Sequence, residues 1–234
     1  MPVRASAIIV AAGRGQRLGS TIAKAFVALG GEPILFYSMR SLAAVPEVTE
    51  LVVTLPEGDD YRRAAREIAS RAAMNKPLKL VEGGGERQDS VRIGLALTCA
   101  ESEVVAVHDA ARPFATAHLF RLCIDTAALS GGAIAAIAVA DTLKQVEHGM
   151  IVATRGRAGL YQAQTPQAFR RDLLVRAHEM AAANRIAATD DAELVERIGG
   201  RVAIVEGSSR NIKITTKSDL EVADVFVAKG ESAR

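Results

Sequence analysis

The sequence predicts an α/β protein: a mostly parallel twisted sheet with helices on both faces and one projecting β-hairpin arm. Three observations carry that prediction. Short apolar, β-branched runs alternate with helix-length amphipathic ones along most of the 234 residues, the signature of β–α–β units. Glycine and proline breaks follow the strand-like runs. The alternation changes character only at 141–154, where two short strands flank a Glu147-His148-Gly149 turn.

Each element follows from its local pattern. Ser6–Ala11 is an apolar strand ending at Gly13. The preceding Arg4 gives this stretch a faint likeness to a signal peptide, but the run is too brief and too β-branched. Glu32–Ala44 has helical spacing, with Ile34, Leu35, Met39 and Leu42 on one face. Glu50–Leu55 is a buried strand stopped by Pro56, and Asp59–Met74 is an Ala/Arg-rich helix that Asp59 or Asp60 can cap. Leu78–Val81, Glu103–Val107 and Ala133–Val139 read as strands; Glu86–Thr98 and Thr116–Leu129 read as helices. Beyond the hairpin come helices at Arg170–Ala183, Asp190–Ile198 and Ser218–Lys229, with strand-like runs at Arg201–Glu206 and Ile212–Thr215.

Composition narrows the function. Hydrophobic residues make up 49% and charged residues 24%, enough apolar material for a packed core. Lys plus Arg is 29 against 27 Asp plus Glu, a net charge of +2 that provides no broad basic face for nucleic acid. No apolar run approaches the roughly 20 residues that span a bilayer. Cys99 and Cys123 are too few for a disulfide framework and lack zinc spacing, so they read as free thiols of a cytoplasmic protein.

Parallel sheets bind ligands beyond the carboxyl ends of their strands. That rule singles out the loops Ala12–Lys24, Glu82–Ser90 and His108–Pro113. The first carries Gly13, Gly15 and Gly19 with three cations and no carboxylate between Arg14 and Lys24. Glycines let the backbone approach a ligand and offer N–H donors, and cations neutralise phosphate, so this loop is a candidate triphosphate cradle. A dinucleotide fingerprint would need a third glycine where Leu18 stands, and no Walker P-loop string is present.

Six ordered motifs point further. They are Ala11-Ala12-Gly13-x-Gly15-x-Arg17-Leu18-Gly19 with Lys24, Gly83-Gly84-x-Glu86-Arg87-x-x-Ser90, and His108-Asp109-Ala110-Ala111-Arg112-Pro113. The others are Gln164-Thr165-Pro166-Gln167-x-Phe169, Thr189-Asp190-Asp191 and Asn211-Ile212-Lys213-Ile214-Thr215. Together they resemble the 2-C-methyl-D-erythritol 4-phosphate cytidylyltransferase family across nearly the whole chain. The resemblance implies a single Rossmann-like (GT-A-like) nucleotidyltransferase domain over residues 1–234, with the 141–154 arm serving a homodimer. It implies transfer of a cytidylyl group from CTP to a polyol phosphate, with pyrophosphate released, in non-mevalonate isoprenoid synthesis. Arg17, Lys24 and Lys213 would be the catalytic cations. Ala11, Ala12, Gly13, Gly15, Gly84 and Ser90 would bind CTP. Asp109, Arg157, Thr165 and Thr189 would bind the second substrate, Arg157 from the partner subunit. Mg²⁺ would be held mainly by the CTP phosphates, with Asp109 available through water.

The chain departs from the family pattern at four places: Ala23 for proline before Lys24, Gly85 and Gly156 for acidic residues, and Arg210 for an acid before Asn211. Two alternative functions stay open on the sequence, a cytidylyltransferase for ribitol 5-phosphate and a non-catalytic nucleotide-binding regulator.

Overall fold

The computed structural model describes residues 3–13, 15 and 22–230. A seven-stranded sheet forms its centre, with spatial order β11-β7-β10-β6-β1-β4-β5. In chain order the first elements are β1 (Ala5–Val10), a 3-10 turn at Lys24–Phe26, the paired dipeptides β2 (Ala28–Leu29) and β3 (Glu32–Pro33), α1 (Ile34–Ala43) and β4 (Val48–Leu55). Next come α2 (Asp59–Arg71), β5 (Leu78–Glu82), α3 (Arg87–Ala96), β6 (Val104–Asp109), α4 (Ala117–Ser130) and β7 (Gly132–Ala138). The arm follows as β8 (Leu143–Glu147) and β9 (Met150–Arg155). The chain then returns as β10 (Tyr161–Arg170), α5 (Arg171–Asn184), α6 (Asp191–Arg197), β11 (Val202–Glu206) and α7 (Lys217–Ala228).

Period-two alternation assigns the two faces. From β1, Ala7 and Ile9 pack with Leu35 and Met39 of α1, Ile68 of α2 and Phe120 of α4. Ile8 points the other way, against Val91 and Leu95 of α3, with Leu174 of α5 and Val195 of α6 in the same cluster. A third, smaller cluster joins Leu29, Ile34, Tyr37 and Phe114 to Ile214 and to Ala223 of α7. Helix starts are capped where the sequence allows. Thr116 accepts from the Leu119 amide, Asp190 from the Glu193 amide, and Thr216 with Asp219 forms a capping box.

Two elements and one helix boundary differ from the sequence pattern. The alternation does not predict β10, which runs antiparallel to both β6 and β7 in an otherwise parallel sheet. Its strand is polar, with Gln164, Thr165 and Gln167 all buried, and Pro166 lies where the register with β7 shifts. The polarity serves hydrogen bonds, because Gln164 Nε2 donates to the Ser208 carbonyl at 2.9 Å and Gln167 Nε2 to Asp190 Oδ2 at 2.8 Å. Conversely, the strand-like run Ile212–Thr215 is not a strand. Its amides are used singly, Ile214 N donating to the Ala111 carbonyl at 2.8 Å and Thr215 N to Asp219 Oδ2 at 2.8 Å. The first helix begins at Ile34, not Glu32, because Pro33 precedes it in extended conformation.

Candidate active site

Going out from β1, the strand order runs β4 then β5 on one side and β6 on the other, so chain direction across the sheet reverses at β1. A cleft of about 610 Å³ opens at that switch point. Its walls come from the segment after β1 (Ala11, Ala12, Gly13, Gly15), from Lys24, from the loop into α3 (Gly84 to Arg87 and Ser90), from Asp109 at the end of β6, and from Lys213 and Thr215.

The nucleotide-side loops are closely packed. Gly15 has φ +67°, and a Cβ there would stand 2.9 Å from the Lys24 Cβ. Lys24 N donates to the Gly13 carbonyl at 3.3 Å, fixing the lysine backbone against the glycine segment. Any Cβ on Gly83 would collide with the Ala12 Cβ and with Ser90 Oγ. Ser90 Oγ accepts from the Gly84 amide at 3.1 Å and donates to the Glu86 carbonyl at 3.2 Å, so the hydroxyl holds the loop in shape.

Opposite stands Asp109, 7% exposed. Its Oδ1 accepts from Arg87 Nε at 2.9 Å and its Oδ2 from Lys213 Nζ at 2.6 Å. Burial raises the carboxyl pKa, but Arg87 and Lys213 overcome burial and hold it well below the usual carboxylate range. Lys213 is carried there by its neighbour, for Ile214 is fully buried in the third apolar cluster and bonded to Ala111. The loop is also anchored by Asn211, which is fully buried and whose Nδ2 donates to the Thr165 carbonyl at 2.9 Å.

Beneath Asp109 lies a one-way hydrogen-bond chain. The Asp109 amide donates to Thr165 Oγ1 at 3.1 Å, and that hydroxyl meets His108 Nδ1 at 3.0 Å. The other ring nitrogen, Nε2, faces the Arg112 carbonyl at 3.2 Å. The carbonyl can only accept, so Nε2 carries the proton and Nδ1 accepts from Thr165. Burial pushes the imidazole down to about 3, which keeps it neutral and the chain intact.

The sequence-predicted residues divide three ways. Ala11, Ala12, Gly13, Gly15, Lys24, Gly84, Ser90, Asp109 and Lys213 all line the cleft. Thr165, Thr189 and Arg157 do not. Thr165 is 4% exposed and supports Asp109 from behind. Thr189 turns its amide and hydroxyl to Glu193 Oε2, at 2.8 and 3.1 Å. Arg157 is exposed just beyond the arm. Arg17 lies outside the described residues. Arg87 stands in a sequence motif that gives it no role, yet among the described residues it is the side chain that bridges two buried carboxylates, Asp109 and Asp191. The available signal was a cation three residues before Ser90 at the mouth of a ligand loop.

A switch-point cleft lined by glycine segments and by Lys24 and Lys213 is the arrangement of an α/β nucleotide-binding protein that works on phosphate. The family described as "IspD: 2-C-methyl-D-erythritol 4-phosphate cytidylyltransferase" matches residues 5–229. A protein of that description from Caldanaerobacter subterraneus is 40% identical over 226 residues, covering 96% of this chain and 99% of that one. A bifunctional IspD/IspF enzyme from Rhodospirillum rubrum is 46% identical over 232 residues, 97% of this chain but 58% of its own length. Among solved structures, the 4-diphosphocytidyl-2C-methyl-D-erythritol synthase of Anaerococcus prevotii superposes with a TM-score of 0.85 at 30% identity, covering 97% of both chains. The chain belongs to the family of 2-C-methyl-D-erythritol 4-phosphate cytidylyltransferases.

Proposed function

We propose that this chain transfers the cytidylyl group of CTP to 2-C-methyl-D-erythritol 4-phosphate, giving the cytidine diphosphate alcohol and pyrophosphate. A phosphate oxygen of the acceptor attacks the α-phosphorus as the bond to the bridging oxygen of the β-phosphate breaks, and pyrophosphate leaves with that electron pair. The acceptor is already an anion, so no general base is required. The demand on the protein is to bring two anions together and to neutralise charge in the transition state. The observation that carries this reading is that Lys24 and Lys213, from opposite ends of the sequence, line one cleft with glycine segments between them. In this reading the two lysines flank the reacting phosphorus with Arg17, Gly84 and Ser90 hold the cytidine, and Asp109 orients acceptor hydroxyls. Thr165 acts on the acceptor through Asp109.

Mg²⁺ belongs to the same reading as part of the nucleotide. Among the described residues no group of three or more His, Cys, Asp or Glu side chains could hold a metal ion. Asp109 is the buried carboxylate of the cleft, and both its oxygens already face cations. This donor set suits an ion carried in on the triphosphate, where it would neutralise the phosphate oxygens.

The arm completes the proposal. Val146, Met150, Ile151 and Val152 are each at least half exposed on an isolated two-stranded sheet. A second copy of the chain covers this face and receives Arg157 at its own cleft, making a homodimer with shared sites. The free thiols Cys99 and Cys123 suit a reducing cytoplasm.

Pyrophosphate release from CTP and Mg²⁺ tests the function, with methylerythritol phosphate and ribitol 5-phosphate offered in parallel. Turnover with the first, far above the second, is expected. No pyrophosphate with either acceptor overturns the reading.

A further inference from the structure

The clamp on Asp109 does not end at Arg87. While Arg87 Nε holds Asp109, Nη1 donates to Asp191 Oδ2 at 2.8 Å. Asp191 is 1% exposed and lies behind the cleft wall, not on it. Its second oxygen, Oδ1, faces His178 Nε2 at 3.0 Å, and its backbone amide donates to Gln167 Oε1 at 3.2 Å. A carboxylate this deep needs a partner of opposite charge, since an isolated buried ion is strongly destabilising. Its companion in helix α6, Asp190, already provides the cap, so Asp191 is not needed for that purpose.

The charges therefore alternate along a line from interior to cleft: Asp191, Arg87, Asp109, Lys213. Only the last is more than a third exposed, its side chain at 39% against 25% for Arg87, 9% for Asp109 and 1% for Asp191. The interior end is fixed and the cleft end can exchange partners. Arg87 suits the middle of the line because its planar fork reaches two carboxylates at once, which a lysine's single ammonium cannot do in the same geometry. Its charge is also secure. Burial would lower the guanidinium pKa, but Asp191 and Asp109 more than compensate and raise it.

We infer that Arg87 is a positioning residue for the transfer reaction: anchored by Asp191, it holds Asp109 so that Asp109 presents Lys213 to the phosphates. Without the anchor, Asp109 can rotate and draw Lys213 away from its working place. Arg87 need not touch substrate for this. The inference rests on the role of Lys213 in the proposed function.

The test is a double-mutant cycle on the full chain, read as kcat and KM for Mg·CTP in the pyrophosphate assay and as thermal midpoints. Arg87→Lys keeps the charge but loses the fork, and is expected to lower kcat roughly 10- to 100-fold, the scale of a misplaced reacting group, with KM changed less than about threefold. Placed in a Lys213→Ala background, the same change should cost less than about threefold more in kcat at saturating acceptor, because the cation that Asp109 presents is gone, while any loss through Asp109 on the acceptor hydroxyls shows in the acceptor KM. Asp191→Asn should reproduce the pattern more weakly, and its cycle decides if Arg87→Lys does not fold. Full additivity with Lys213→Ala overturns the inference. So does a lowered melting midpoint with kcat within twofold of wild type, which would make the Arg87 bridge purely structural. An inactive wild-type chain would instead sink the functional reading itself.

Discussion

The cleft and the arm follow opposite rules. Around the cleft three groups are tied inward: Asp109 between two cations, Arg87 between two carboxylates, and Thr165 behind Asp109 on a neutral His108. The arm, among the described residues, pairs its strands with each other. Met150 is 71% and Ile151 64% exposed, and even its cross-strand polar contacts, Lys144 with Thr154 and Arg155 with Gln145, stay at the surface. A polar site achieves one geometry when each group has a fixed partner. An apolar ribbon without a core has to find its partner elsewhere. The described cleft groups are thus braced from within the chain, while the proposed assembly rests on the arm.

The largest expected effect separates the two regions directly. Lys24→Ala and Lys213→Ala should each reduce kcat by roughly 10²–10³, the scale for removing one group that stabilises charge in the transition state. Neither change should alter the oligomeric state measured by light scattering. Near-normal turnover in both would show that the cleft is not where the reaction happens.

The arm is broken next. Arg157→Ala should lose roughly 10² in turnover through the acceptor phosphate, as expected when a charged hydrogen-bonding partner is removed. Mixed with Lys24→Ala and allowed to exchange subunits, the two inactive chains should recover roughly a quarter of wild-type activity, since half the dimers are mixed and each contains one complete site. Placing carboxylates in the arm with Met150→Asp and Ile151→Asp should give monomers with the loss seen for Arg157→Ala. Exchange without recovery would confine the site to one chain.

How legible these two regions were differs for a physical reason. Lys213 came only through the family resemblance, whereas the strand ends, the glycine segments and Lys24 could be read from the sequence because parallel strands and phosphate cradles impose short-range patterns. The hairpin at 141–154 was readable for the same reason, and β8 and β9 fall within two residues of it. What escaped was long-range polarity. β10 hides behind Gln164, Thr165 and Gln167, whose polar side chains bond to segments far away in sequence, and behind Pro166 among them. Arg87 meets Asp191 over a separation of 104 residues, which no local window contains. The run Ile212–Thr215 misled in the opposite sense. Its β-branched apolar residues serve a small core under α7 and not a ladder.

A pH titration sharpens the contrast from the cleft side. His108 is neutral in the fold, pushed down to about 3 by burial, whereas the unfolded chain takes up a proton near the ordinary value of 6.5. Below that value the unfolded state binds more protons, so the stability contributed by the neutral imidazole is complete above about pH 6.5 and is lost progressively as pH falls toward 3. Between pH 6.5 and 5 the loss should be about 2 kcal/mol, at about 1.4 kcal/mol per pH unit. Urea unfolding of His108→Gln, which cannot titrate, should be flatter over this interval by that amount. Parallel curves for the two proteins would mean that the ring is charged in the fold and that the Asp109–Thr165–His108 chain runs otherwise.

The smallest effects come from single methyl groups, and they distinguish tight packing from backbone strain. A Cβ on Gly83 meets Ala12 and Ser90, so Gly83→Ala should cost about 1–3 kcal/mol as the cleft floor is forced apart. Gly85, two residues on, has no atom within 4 Å of its Cβ position and no positive φ, so Gly85→Ala should stay within about 0.5 kcal/mol of wild type. In the arm, Gly149 also has open space around it but sits at φ +80°, and Gly149→Ala should cost about 1 kcal/mol through the backbone alone. Chemical denaturation of the three variants orders them: Gly83 most sensitive, Gly149 next, Gly85 least. If Gly85→Ala were as damaging as Gly83→Ala, the loop into α3 would have to pack against something beyond the described contacts. The cleft would then depend on a second chain, as the arm does in the proposed dimer.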